Sequence, residues 1–384
     1  MTDRLLCHTV LFCSLSLLFF SCGKKKQADP LFTKLEDTGI QFNNIVIDDS
    51  LENSFYYRNY YNGGGTGIGD INNDGLADVL LTSNMGENKL YLNKGGLKFE
   101  DITLKSGMKQ DSMWSTGILF VDVNNDHWLD IYICNAGHME NGNRRNKLYI
   151  NNHDLTFTED AAKYGLDIKA YTTQVSFFDY DLDGDLDCFM INNSPMPINN
   201  LGYDNKRDLP DSLWPVAEFF KGGGDHLYRN DNNKFTEVTQ QAGIHGTLVS
   251  FGLGVAVSDV NNDGYPDVFV ANDSYERDYL YMNQGNGTFK DEMENCIEQN
   301  SFSSMGVDVA DVNNDGYPDL FTTDMLPGDD YRLKTLGAFD NIDLYNTRIK
   351  NGLYRQFMKN CLMVNNQKGE FIEAANFSGV QATD

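Results

Sequence analysis

The feature that most restricts the fold of this chain is an acidic loop that recurs five times, each copy running into an apolar segment. The copies begin at Asp70, Asp122, Asp179, Asp259 and Asp311 and read "DINNDGLAD", "DVNNDHWLD", "DYDLDGDLD", "DVNNDGYPD" and "DVNNDGYPD". They share the pattern D-x-[DN]-x-D-[GH]-x-x-D, with starts 52, 57, 80 and 52 residues apart. Five residues before the leading aspartate stands a glycine in four copies, Gly65, Gly117, Gly254 and Gly306, and Gln174 in the third. A second phrase follows each loop, such as "NKLYLNKGGLKFEDIT" or "DYLYMNQGNGTFKDEM", which reads as two strands joined by an Asn/Gly turn. Each unit thus offers four short strands: one before the loop, one after it, and the hairpin. Four-stranded units at this period predict an all-β propeller, with the glycines at its crowded inner edge. A stacked β-solenoid has shorter repeats and ranks below it.

The propeller domain is placed at residues 31–384, with five full repeats. Ahead of them, "LFTKLEDTGI" matches the tail "KFTEVTQQAGI" of the third unit and is expected to be an orphan outer strand. The chain is therefore expected to be an incomplete part of a larger propeller of about seven blades. Two units carry insertions, Asn192–Gly224 and Met325–Lys359. Their aromatic and charged residues Trp214, Phe219, Tyr331, Tyr345, Arg348 and Tyr354 are the candidate ligand surface, with packing against the propeller as the competing role.

Carboxylates crowded into a nine-residue loop repel one another unless a cation neutralises them. Calcium takes six to eight oxygens in flexible geometry, and side chains at loop positions 1, 3 and 5 converge on one point. A backbone carbonyl at position 7 (Leu76 in the first loop) and the aspartate at position 9 complete the cage. The predicted calcium ligands are Asp70, Asn72, Asp74 and Asp78; Asp122, Asn124, Asp126 and Asp130; and Asp179, Asp181, Asp183 and Asp187. The fourth and fifth loops contribute Asp259, Asn261, Asp263 and Asp267, then Asp311, Asn313, Asp315 and Asp319. Magnesium fits less well because it demands tighter octahedral geometry. In the second loop His127 replaces the glycine, so that site is expected to be the weakest. An EF-hand is excluded: its position-12 glutamate is replaced by Leu81, Ile133, Met190, Val270 and Thr322. Metal-free Asx turns are the bland alternative.

A formal charge of −26 argues against nucleic acid as a partner, since phosphates attract lysine and arginine. At the N-terminus, the apolar run Val10–Phe20 ends at "SCGKKK" and resembles a bacterial lipoprotein signal. Residues 1–21 are then a signal peptide, Cys22 the lipidated first mature residue, and 22–30 a linker. Phe19 and Asp3 depart from the usual form of such a signal. This places the protein at the bacterial cell envelope, as an outer-membrane lipoprotein, though the sequence leaves leaflet and face open. Cys134, Cys188, Cys296 and Cys361 lack zinc-ligand spacing, and sequence does not fix any disulfide pairing among them.

The loops with their "LYLN…F…T" tails resemble FG-GAP/VCBS repeats of the integrin-α type. The segment "DMLPGDDYRLKTLG…NGLYRQFMKNCLMVNNQKGEFIE" is similar to exported bacterial proteins related to the cartilage acidic protein group, which carry an ASPIC/UnbV domain that these residues do not include. That resemblance implies adhesion, or binding of a carbohydrate or protein. No HExxH, GxSxG or P-loop motif is present, and the histidines fall at unlike repeat positions. The expected function is a calcium-stabilised propeller that binds a glycan or protein ligand at the cell envelope, not an enzyme. A polysaccharide hydrolase or lyase, or a structural module serving a domain beyond residue 384, are the alternatives.

Overall fold

The computed structural model describes residues 32–50, 53–55, 57–108, 113–137, 144–196, 206–273, 276–336 and 342–383. The signal peptide, Cys22 and the linker lie outside the described residues. Contacts divide the chain into residues 1–38 and 39–384. In the first, residues 32–38 carry no strand. The outer strand expected there is not formed, since a fourth strand ladders only onto a third.

Residues 39–384 are all-β, with five four-stranded antiparallel sheets in chain order. They comprise β1–β4 (Thr66–Gly69, Asp78–Leu81, Lys89–Asn93, Phe99–Asp101) and β5–β8 (Ser115–Val121, Asp130–Asn135, Lys147–Asn151, Phe157–Glu159). The third and fourth are β9–β12 (Thr172–Phe178, Asp187–Asn192, His226–Asn230, Phe235–Glu237) and β13–β16 (Gly252–Ser258, Asp267–Asn272, Tyr279–Asn283, Phe289–Asp291). The fifth contains β18 (Gly306–Ala310), β19 (Asp319–Thr323), β21 (Cys361–Asn365) and β22 (Phe371–Glu373). A short parallel pair, β17 (Asn300–Ser301) and β20 (Gln356–Phe357), ties its insertion down. Each acidic loop joins the first strand of a sheet to the second, and each "LYxN…F" phrase forms the hairpin, as the repeat predicts.

Consecutive first strands run beside one another, β1 by β5, β5 by β9, β9 by β13 and β13 by β18, as blades do around an axis. Each pair of neighbouring sheets encloses its own apolar core. The second strands "DIYICN", "DCFMIN" and "DVFVAN" are buried along their whole length because both of their faces meet another sheet. Close approach at the inner edge explains two of the glycines. A Cβ on Gly65 would stand 2.4 Å from the Thr116 carbonyl oxygen, and one on Gly117 2.5 Å from that of Thr173. Among the described residues Cys134, Cys188, Cys296 and Cys361 are free thiols, and Cys134, Cys188 and Cys361 are buried in these cores.

Candidate metal loops and the opposite face

The five acidic loops share one backbone course, set by two residues with positive φ. Position 6 holds Gly75, His127, Gly184, Gly264 and Gly316, with φ between 69° and 98°. His127, at 69°, adopts the strained conformation that its sequence position implied. Position 4 is also left-handed, at Asn73, Asn125, Leu182, Asn262 and Asn314. Asparagine tolerates that region, so the second asparagine of "NND" was the signal for a turn that sequence reasoning passed over.

This curl turns backbone N–H groups onto the carboxylates. In every loop Oδ1 of the leading aspartate accepts from the position-5 N–H at 3.0–3.2 Å, and its Oδ2 from the position-6 N–H at 2.7–2.9 Å. The position-5 aspartate accepts from the N–H at position 7 at 2.9–3.0 Å. The position-9 aspartates Asp78, Asp130, Asp187, Asp267 and Asp319 are buried. Their Oδ2 accepts from position 2 of the loop, and their Oδ1 from the asparagine that ends the third strand. Burial pushes Asp130, Asp187 and Asp267 up to about 7, even though those N–H groups favour the charged form. Asp78 is raised for the same reason.

Not all loops are equally prepared for a cation. Among the described residues, the third is the one in which three carboxylates, Asp179, Asp181 and Asp187, bring oxygens within 4.8 Å of one another. Oδ1 of Asp181 is shielded from solvent and has no hydrogen-bond partner. Burial, together with Asp183 and Asp179, raises the pKa of Asp181. An unpaired buried carboxylate oxygen facing other carboxylates suits a hard divalent cation. In the first, second and fourth loops position 3 is an asparagine that donates Nδ2 to Oδ2 of the position-5 aspartate at 2.9–3.0 Å. The second loop adds His153, whose Nε2 lies 3.1 Å from Asp126 Oδ2 while its ring stacks on Trp128 at 4.7 Å. In the fifth, Gln367 donates to Asp315 Oδ2 at 3.0 Å. The sequence treated four of the sites as equivalent; the side chains single out the third.

Antiparallel sheets place the loops at one end and the connections between second and third strands at the other. Both insertions are such connections, so they lie on the face away from the acidic loops. Most of the aromatic residues proposed there as a ligand surface anchor the insertions instead. Trp214 is buried with Leu248, Val249 and Phe251 and donates its Nε1 to the Leu209 carbonyl at 3.1 Å. Tyr345 packs on Phe357, Arg348 covers the Phe302 ring at 4.5 Å, and Tyr354 donates its hydroxyl to the Ile297 carbonyl. Phe219, against Phe220, and Tyr331 remain exposed.

The same face has an axial cavity of about 340 Å³ that the sequence did not reveal. Every unit contributes to its wall near the start of its first strand, through Gly65, Thr116, Thr173, Leu253 and Met305. Tyr57, Asn59, Asn62 and Trp114 complete it, and no charged residue is among its described lining residues. Asn59 is 5 % exposed, and its Nδ2 has no partner. Arg58 reaches from this segment to Asp273 of the fourth unit, donating at 3.0 Å. "YYRNYYNGGG" was the available signal: tyrosines and asparagines concentrated just before the first strand.

A family profile described as FG-GAP-like repeat matches residues 70–133, 216–270 and 259–322, leaving the third loop outside the matched stretches. Mouse integrin alpha-3 is 34 % identical over 90 residues, which cover 20 % of this chain and 8 % of the integrin. Cartilage acidic protein 1 of Xenopus tropicalis is 24 % identical over 262 residues, 68 % of this chain and 36 % of that protein. Among solved structures, an Agrocybe aegerita lectin that recognises non-reducing terminal N-acetylglucosamine aligns with a TM-score of 0.38 and 16 % identity, covering 79 % of this chain and 63 % of the lectin. The chain thus spans well under half the length of either of these curated relatives. With the repeat profile falling on four of the acidic loops and their strands, this chain carries FG-GAP-like repeats and is similar to integrin alpha chains and to cartilage acidic protein 1.

Proposed function

We propose that this protein is a calcium-stabilised recognition module that binds a ligand, rather than transforming it, on the face opposite its acidic loops. The ligand class favoured is a neutral glycan, with a protein ligand as the other reading of the same surface. The observation that carries this is the axial cavity. In a chain of formal charge −26 it has no charged residue among its described lining residues, but it offers aromatic rings, threonines and the unsatisfied amide of Asn59. Sugar rings present an apolar face and hydroxyl groups, which aromatic and amide side chains match. A glycosidase needs two carboxyl groups flanking the bond it cleaves, and this lining has none among its described residues.

Calcium is the cation proposed for the loops, held by Asp179, Asp181, Asp183 and Asp187 in the third and by the matching positions elsewhere. Its role is to neutralise the turn between two strands, so that the units hold the opposite face in shape. Export and a lipid anchor at Cys22 put that face at the cell envelope. The test is an array of glycans and envelope proteins probed with the full chain in millimolar calcium. Binding that falls when Asn59 is changed to Ala, with the fold unaltered by circular dichroism, supports the reading. Binding indifferent to Asn59→Ala and Trp114→Phe, or turnover of a bound glycan, refutes it.

A further inference from the structure

The residue just before the third strand is an asparagine in the first, second and fifth units, Asn88, Asn146 and Asn360, and an aspartate in the third and fourth, Asp225 and Asp278. In the first two units its side chain stitches one unit to the next. Asn88 Nδ2 donates to the Ser115 hydroxyl at 3.1 Å, and Asn146 Nδ2 to that of Thr172 at 2.9 Å. Each hydroxyl passes its single hydrogen to the asparagine that ends the following second strand, Ser115 to Asn135 Oδ1 at 2.9 Å and Thr172 to Asn192 Oδ1 at 2.7 Å. The donor at the head of both relays is an amide.

The third unit runs the same relay with a carboxyl at its head. Ser250 hands its hydrogen to Asn272 Oδ1 at 2.9 Å, an oxygen that also accepts the Phe251 N–H at 3.0 Å. Asn272 cannot be turned round, because its Nδ2 donates to the Arg277 carbonyl at 2.9 Å. The Ser250 oxygen lies 3.4 Å from Asp225 Oδ1 and, with its hydrogen spent, can only accept from it. The other oxygen, Oδ2, meets one donor, the Tyr281 hydroxyl at 3.2 Å. Asp225 is fully buried, and an ionised carboxylate there needs more than that single long bond. Burial pushes Asp225 up to about 7, against the pull of His226 and of the Tyr281 and Ser250 hydroxyls. Asp278 is also buried and pushed up to about 7, but it has its donors: the Asn272 N–H and the Ser304 hydroxyl, each at 2.8 Å.

We propose that Asp225 is a proton latch between the third and fourth units: protonated, it donates to Ser250 as the asparagines do to their hydroxyls, and when the proton leaves to solvent the joint holds a buried, poorly bonded charge. The joint closes as pH falls and loosens as pH rises, whereas the two junctions headed by amides have no such dependence. An opened chain releases this proton at the ordinary carboxyl value of 3.8, so opening gains favour from there up to the folded value and levels off above it. Other titrating groups face Asp225. His226, beside it, lies 2.8 Å from Glu237. Tyr279, Tyr281 and Asp291 face it from the fourth unit, with Asp291 paired to Arg277 at 2.7 Å. His245, whose carbonyl accepts the Asp225 N–H, lies 3.2 Å from Asp291 and 3.5 Å from Asp208. All of them keep these partners when Asp225 is replaced by asparagine, so the difference between the two proteins reports Asp225.

The test is Asp225→Asn in the full chain in millimolar calcium, with hydrogen exchange compared at pH 5 and pH 7 after correction for intrinsic rates. At amides 225–228, 247–252 and 279–281, wild-type exchange should speed by about tenfold or more between the two. The variant should match wild type at pH 5 and lose that acceleration, and amides 115–118 and 172–175 should not accelerate in either protein. Equal acceleration in both proteins, or none in wild type, overturns the latch. So does a variant that exchanges faster than wild type, or fails to fold, at pH 5, because Asp225 would then be serving as an ionised acceptor. If the infrared band of protonated carboxyl groups at pH 5 is as strong in the variant as in wild type, the latch is likewise refuted.

Discussion

Replacing Asp181 by asparagine should stabilise the protein without calcium and destabilise it with calcium. In the third loop Asp179, Asp181 and Asp187 hold oxygens within 4.8 Å, and Asp181 Oδ1 has no partner. Two unit charges at that separation repel by about 3 kcal/mol at an effective dielectric of 20, falling toward 1 kcal/mol as solvent screens them. The Asp181→Asn change would remove that repulsion, and the new amide would donate to Asp183 Oδ2, as Asn72, Asn124 and Asn261 do to their position-5 aspartates at 2.9–3.0 Å. Such a bond adds roughly 0.5–1.5 kcal/mol. In chelator the melting temperature should therefore rise by a few degrees, since about 1 kcal/mol moves a domain of this size by roughly 2 °C. In millimolar calcium the same change deletes a charged ligand and the linkage energy that came with it, so the melt should fall below wild type. Scanning calorimetry of both proteins in both buffers decides the matter. A shift of the same sign with and without calcium refutes the cation site at this loop.

His127→Gly should raise stability to urea by about 1 kcal/mol, because glycine reaches the φ of 69° without a Cβ clash; an unchanged midpoint would mean that His127 is not strained there. Asn283→Ala should cost about 1–3 kcal/mol, since it leaves the buried Tyr180 carbonyl without its 2.8 Å donor; a neutral result in urea denaturation would show that a water replaces it. In chelator, stability should rise as pH falls from 8 toward 5. Asp130, Asp187 and Asp267 are held near 7 in the fold against 3.8 for an ordinary carboxyl, so the folded state binds protons that the unfolded one releases. A flat profile over that range would contradict those shifts, and saturating calcium should flatten it. Cys134, Cys188 and Cys361, buried and with thiols pushed up by burial, should resist a thiol reagent until the chain unfolds, and fast native labelling would refute that packing.

The sequence made the strands legible because one pattern was written five times. A single "DVLLTS" is ambiguous between strand and buried helix, but the same apolar run after the same acidic turn is not. Side-chain roles were less legible, and for physical reasons. Trp214 and Arg348 looked like ligand contacts because the insertions interrupt the repeat and so have no internal template; the structure uses both to fasten the insertions down. The difference between the third loop and the rest was present as Asp181 in place of asparagine. What sequence did not show is that the asparagine amides of the first, second and fourth loops take up the position-5 carboxylate, while the third loop keeps an orphaned oxygen. The axial cavity escaped because its walls come from five places along the chain, and only Tyr57–Asn62 and Trp114 stand out locally.

A cation held in the acidic loops would also bear on how the units join. Both oxygens of the position-9 aspartate accept backbone N–H groups, one from position 2 of the loop and one from the third strand's final asparagine. In the second, fourth and fifth units that asparagine's side chain then donates to position 2 of the preceding loop, Asn151 to Ile71, Asn283 to Tyr180 and Asn365 to Val260, whereas Asn230 of the third unit donates to Leu186 of its own loop. A cation that ordered one of those loops would thus fix the carbonyl on which the next unit hangs. At these three junctions the coupling runs in one direction along the chain, from the loop to the unit after it. It follows that disabling the first loop, by Asp70→Ala and Asp74→Ala together, should loosen the second unit through Asn151, which bonds the Ile71 carbonyl. The same pair of changes in the fifth loop, at Asp311 and Asp315, should leave units one to four unmoved. Hydrogen exchange resolved by unit measures both, and equal loosening on either side of the altered loop would show that the ions act on each unit separately.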